Sequence, residues 1–168
     1  MVAATGVLVA AVFYILNMRE TMKNRRATFA NNIQQIYYTE EGQLRYMEVM
    51  SMQWSDFEDF KSKYDSSVNP KYYAKRQSIL AANDMLGFQY RLGIISLDDF
   101  SKPTSWGLVA TWLKFKPIIE KYREWQYSRD FFSDLEYLAN AMMEKMGKSD
   151  PEFKEKMNVF FTTQQKQQ

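Results

Sequence analysis

Three groups of carboxylates hold the residues best suited to chemistry: Asp56, Glu58 and Asp59; Asp98 and Asp99; Asp130 and Asp134. Oxygen-only ligands of this kind suit Mg²⁺ or Ca²⁺, and converging acids could serve a carboxylate-only hydrolase. Little else is available. The chain has no histidine and no cysteine. That removes the usual base for a serine or cysteine nucleophile, the imidazole and thiolate ligands of zinc, and the Glu-x-x-His motif of di-iron bundles. No Gly-x-x-x-x-Gly-Lys or Gly-x-Gly-x-x-Gly pattern offers a phosphate cradle. The Asp-x-Asp-x-Asp-Gly pattern of a Ca²⁺ loop is absent too. Each acidic group lies where a helix is expected to begin, and acids in a first turn complement the helix dipole. The expectation is therefore no catalytic residue, no metal and no cofactor.

Aromatic side chains are the second resource, at 16% of residues. Base-stacking platforms interleave them with basic residues on one exposed face. Tyr72-Tyr73-Ala74-Lys75-Arg76 and Trp112-Leu113-Lys114-Phe115-Lys116 come nearest to that pattern. The net charge is only +2, whereas nucleic-acid binders carry a strong basic excess or stripe. An aromatic core with a solvated basic edge is the plainer account, and no nucleic-acid partner is expected. Part of the surplus suits a docking surface or a pocket between helices, with Trp106, Trp112 and Trp125 as the candidate aromatics. The 11 methionines fit a soft core or an adaptable groove.

The elements that must position these residues begin with an uncharged run, Val2 to Met18, followed by Arg19, Glu20, Lys23, Arg25 and Arg26. At about 1.5 Å per residue its 17 residues reach about 25 Å. Such a run with a basic flank predicts one membrane-spanning helix, contacting the bilayer through residues 2–18. Nothing basic precedes it, which argues against a cleaved signal peptide. It has no polar face, which argues against an interfacial helix. Basic residues resist translocation, so Arg19, Lys23, Arg25 and Arg26 form a membrane-flank collar. The predicted location is the inner (cytoplasmic) membrane, single-pass, with the N-terminus outside and the C-terminal domain cytoplasmic. The mean hydropathy of -0.49 excludes a multi-span protein.

The remainder reads as all-α. No stretch sustains a period-2 alternation, and the six glycines and four prolines sit mostly at expected helix ends. The first helix is expected to continue past the collar, with Phe29, Ile33, Ile36 and Tyr37 on one face. Thr39 before Glu40-Glu41, Ser55-Asp56-Phe57-Glu58 and Asn69-Pro70 read as helix starts. The helix from Pro70 ends near Gly93, and Ser96-Leu97-Asp98-Asp99 opens a short turn stopped by Pro103. A helix from Ser105 to about Gln126 should kink or break at Pro117. Another begins at Ser128-Arg129-Asp130 and closes at Gly147 as its C-cap. Ser149-Asp150-Pro151-Glu152 starts a last helix to about Phe161, before a polar end. The predicted organisation is an anchor and collar (1–26), a cytoplasmic helical domain (27–148), and a short C-terminal helix and tail (149–168). The fold class is all-α: an N-terminal transmembrane helix followed by an irregular bundle of about five to six helices.

Three segments carry a resemblance. They are Arg91-Leu92-Gly93-Ile94-Ile95-Ser96-Leu97-Asp98-Asp99-Phe100, then Trp112-Leu113-Lys114-Phe115-Lys116-Pro117-Ile118-Ile119 with Arg123, then Phe132-Ser133-Asp134-Leu135-Glu136-Tyr137-Leu138. With the uncharged N-terminal run, the chain resembles a family of uncharacterised prokaryotic, single-span, membrane-anchored helical proteins, grouped as a domain of unknown function. The resemblance covers residues 5–147. It implies one span and a helical cytoplasmic domain, and brings no activity and no functional residues.

The leading functional expectation is a non-enzymatic, membrane-tethered interaction protein, an accessory subunit or regulator of a membrane complex. It would have a protein partner or form a homo-oligomer. The alternatives are a small-ligand or lipid sensor with a pocket between helices, a membrane-anchored nucleic-acid binder, and the carboxylate-only hydrolase.

Overall fold

Residues 2–33, 37–153 and 155–157 are described in the computed structural model; the side chains of 2–5, 8, 26, 27 and 30–33 lie outside that description. All regular structure among these residues is helical: α1 (Val2–Ile33), α2 (Glu40–Met50), α3 (Phe57–Tyr64), α4 (Pro70–Arg91), a 3₁₀ turn (Leu97–Asp99), α5 (Lys102–Trp125) and α6 (Ser133–Ser149). The fold is all-α.

The expected membrane span is corrected. Among the described residues no helix is long and apolar enough to cross a membrane. The uncharged run of α1 falls short of a hydrocarbon core of about 30 Å, and Arg19, Glu20, Lys23 and Arg25 follow on the same helix. The single-pass inner-membrane location and its outside-to-cytoplasm orientation fall with the span. Continuation of α1 past the collar is observed, to Ile33. Phe29 buries edge-on against Phe100, at 5.0 Å between centroids. Tyr37 is buried as expected, while Ile33 and Ile36 fall outside the described side chains.

Local capping chemistry sets most helix starts. The Thr39 hydroxyl accepts a 3.0 Å bond from the Gly42 N–H and opens α2. Asp56, not Ser55, caps α3 by accepting from the Asp59 N–H at 2.9 Å. Asn69 caps α4 with Pro70 in the first turn. After Arg91 the N–H of Gly93 donates to the Tyr90 carbonyl and that of Ile94 to the Gln89 carbonyl. This closure needs a left-handed residue at Gly93, whose φ is 68°. Ser101 caps α5, so Pro103 lies inside its first turn rather than stopping the preceding turn. Pro117 does not break α5, which runs unbroken to Trp125. Phe115, Ile118 and Ile119 are buried around the proline, and that packing offsets the lost backbone bond.

The start of α6 differs from expectation. Residues 128–132 turn irregularly, and the helix begins at Ser133 after Phe132, whose φ of 55° is left-handed. Phe132 supplies no side-chain cap. Instead Asp84 on α4 accepts from the Leu135 N–H at 2.9 Å. α6 also passes through Gly147 and ends at Ser149, capped by Asp150. Phe153 and Met157 beyond it are buried in the common core; the expected extension to Phe161 lies outside the described residues.

α4 and α6 form the broadest helix pairing, and Gly87 makes it so. A Cβ built on Gly87 would stand 2.0 Å from the backbone oxygen of Asp134, a distance no side chain occupies. Arg91 reaches Asp134 along the same seam, at 2.5 Å. A buried polar link joins the other helices: the Tyr37 hydroxyl donates to Asn83 Oδ1 at 2.5 Å, and the Tyr46 hydroxyl donates to the Gly107 carbonyl at 3.3 Å. Burial raises the Tyr37 phenol far above the ordinary tyrosine range, with a further push from Tyr46.

Candidate functional site: an exposed apolar helix and an aromatic cleft

Most of the acidic residues are taken up by caps and ion pairs. Asp56 is a cap, and Asp59 accepts from Ser55 and pairs with Lys63. Asp99 accepts from the Ser96 N–H at 2.8 Å. Asp98 pairs with Lys145, and Asp134 with Arg91. Among the described residues no three acidic side chains are placed to hold a metal ion.

The tryptophans do not converge. Trp112 is 1% exposed, a core residue. Trp106 packs edge-on against Phe153 at 5.7 Å. Trp125 is 57% exposed, with the Lys61 ammonium 4.2 Å above its ring. The basic segments are likewise not free platforms. Lys75 pairs with Glu48, Lys116 with Glu120 at 3.7 Å, and Arg76 is buried. In the collar, Arg19, Lys23 and Arg25 are exposed on α1, Lys23 pairs with Glu20 at 2.9 Å, and the Arg26 side chain lies outside the described set.

Two features remain. The first is α1. Nine large apolar or aromatic side chains between Val7 and Met22 are at least half exposed, Val12 to Leu16 in unbroken succession. Five consecutive positions go round every face of a helix, so no side of this segment packs on the bundle.

The second is an aromatic cluster where α3, α4, α5 and the 128–132 turn meet. Trp54 stacks on Phe115 at 5.5 Å and meets Phe60 edge-on at 5.0 Å. Phe57 meets Tyr122 at 5.1 Å, and Tyr127 stacks on Phe131 at 4.2 Å. Arg123 holds the turn in place by donating to the Phe131 carbonyl at 2.9 Å and pairing with Glu136 at 2.8 Å. Inside the cluster lies Arg76, 3% exposed. Its guanidinium sits 4.7 Å from the Phe60 ring centre and 5.1 Å from that of Tyr73. A small space of about 10 Å³ adjoins it, bounded also by Gln77, Tyr122 and Tyr127. That is room for one water-sized group.

No family model, no curated protein and no solved structure matches the chain. What the site does must be read from its own chemistry.

Sequence reasoning missed Arg76, which it placed at the edge of a basic segment. A signal was present: Arg76 falls three residues before Ile79 and four before Leu80, on the inward face of α4. Lys114 was missed in the same way. It lies 4.9 Å from the Trp54 ring centre, and burial pushes its ammonium down to about 8. The folded protein thus releases this proton near pH 8, while the unfolded chain keeps it to about 10.5. Between those values the unfolded state binds more protons, so stability rises with pH. Lys114→Met should be more stable than wild type at pH 7, by on the order of 1–2 kcal/mol, with the gap closing by pH 10. Urea unfolding across that range measures it; a gap that does not vary with pH would contradict the assignment.

Proposed function

We propose that this chain is a non-enzymatic interaction protein that assembles through α1, with a second copy of the same chain as the partner. The observation that carries this reading is the exposed apolar stretch from Val7 to Met18. A helix apolar on every side is stable only when enclosed. α1 helices packed side by side cover the sides that face one another. Closed assemblies of identical subunits are also the common form of oligomer. The mixed charges Arg19, Glu20, Lys23 and Arg25 follow at the end of the stretch, where they stay in water.

Sedimentation equilibrium of the full chain tests this. Wild type is expected to be oligomeric. Val12→Glu with Leu16→Glu should weaken self-association by about a hundredfold or more, because unpaired carboxylates resist burial. The helical signal of the bundle should be unchanged, as neither side chain touches it. A wild-type protein that stays monomeric at its highest soluble concentration would overturn the proposal.

A further inference from the structure

Lys114 carries a second inference, independent of α1. α5 lays its side chain over an aromatic layer. The ammonium stands 4.9 Å from the Trp54 ring centre, and Trp54 in turn stacks on Phe115 and meets Phe60 edge-on. Lys116 and Lys121 on the same helix each pair with a glutamate one turn on. Lys114 has no such neighbour: Ala110, Thr111, Pro117 and Ile118 stand one turn away on either side. Among the described residues no carboxylate and no hydrogen-bond acceptor engages it. The side chain is only partly covered, and its Nζ is not sealed from water. The Trp54 face attracts the cation but returns less than the lost hydration, and burial pushes the ammonium down to about 8.

We infer that Lys114 is an acylation site, which takes a small acyl group from an acyl thioester onto Nζ. The amine must be reachable, must shed its proton before it attacks, and must gain from losing its charge. Its place on the aromatic layer meets all three conditions. In the transfer the Nζ lone pair attacks the thioester carbonyl. The C–N bond forms as the C–S bond breaks, and the leaving thiolate takes up the proton that the nitrogen sheds; nothing is oxidised or reduced. The amide product is neutral, which ends the cost of a half-buried ammonium without a counter-charge. Methylation, or an iminium formed with an aldehyde, keeps the charge and gains nothing of this kind. One aromatic ring is also not the cage that holds a methylated lysine.

The test is exposure of the full chain to the acetyl thioester of N-acetylcysteamine, with acetylation of each lysine followed over time by peptide mass spectrometry. Lys71 and Lys102 are exposed, have no ion pair among the described residues, and serve as references in the same molecule. At pH 7 the free-base fraction of Lys114 exceeds that of an ordinary lysine by about 300-fold, and lower basicity takes back about tenfold on the scale that thiols follow. Lys114 should therefore react at least about tenfold faster than Lys71 or Lys102 at pH 7, with the ratio shrinking toward pH 10. In urea, where the chain is unfolded, the three should react alike. A smaller ratio at pH 7, a ratio that holds to pH 10, or an advantage that survives in urea would overturn the inference.

Discussion

Gly87→Ala is expected to be among the most damaging single-methyl changes available in this protein. The added carbon would sit 2.0 Å from the Asp134 oxygen, 2.3 Å from its carbonyl carbon and 2.9 Å from the Leu135 nitrogen. All three are backbone atoms at the head of α6, so no rotamer change relieves the overlap. α4 and α6 must move apart. Separation strains the bond from the Leu135 N–H to Asp84 and the Arg91–Asp134 pair, which between them fix where α6 begins. Overpacking in a core costs about 1–3 kcal/mol and sometimes more. The backbone contact and the lost cap place this variant at about 3 kcal/mol or above, a fall in Tm of about 10 °C. Gly147→Ala is the contrast. It also lies inside a helix, yet nothing stands within 4 Å of its Cβ position. There alanine should stabilise by about 0.5–1 kcal/mol. Calorimetry of the two variants separates a packing glycine from an incidental one; similar Tm values for both would show that the α4–α6 seam is looser than described.

Trp112→Ala should cost about 3–5 kcal/mol, the range for emptying a fully buried aromatic site. Trp125→Ala should cost about 1 kcal/mol. Trp112 is 1% exposed in the middle of α5, and its removal leaves a cavity that the neighbouring helices cannot close. Trp125 lies at the end of α5 and loses mainly its edge contact with Phe57 and the Lys61 ammonium, interactions worth about 0.5–1.5 kcal/mol each at sites like this. Urea unfolding followed by far-ultraviolet circular dichroism gives both numbers. A Trp112→Ala protein with wild-type stability would mean that the indole lines a space rather than filling the core.

The contrast between these tryptophans marks where sequence reading stops. Trp106, Trp112 and Trp125 look alike as aromatics on one helical pattern. Their different fates depend on α3, α6 and the segment carrying Phe153, none of which is local to α5. Capping was legible for the opposite reason. Thr39 and Asn69 each bond a backbone N–H three residues away, so the signal lies within one turn; the start of α5 was read at Ser105, whereas Ser101 caps it. The head of α6 was read wrongly from Ser128-Arg129-Asp130 because its cap, Asp84, is 51 residues distant. Gly147 was misread because glycine at a helix end and glycine inside a helix look the same without the chain's continuation.

The N-terminal run taught the same lesson on a larger scale. It was read as a membrane-spanning helix; the helix is observed, but its extent and the charges on the same helix overturn the predicted span. By itself the sequence determined the all-α class, most helix starts and the lack of histidine and cysteine chemistry, because residue types and short-range bonding control these. Only the tertiary structure decided which cations are buried, where α4 and α6 touch, and that, among the described residues, the apolar side chains of α1 from Val7 to Met18 are exposed while Phe29 is buried. Those depend on which distant segments share space, and burial rather than residue type sets the cost of a charge or a bare apolar face.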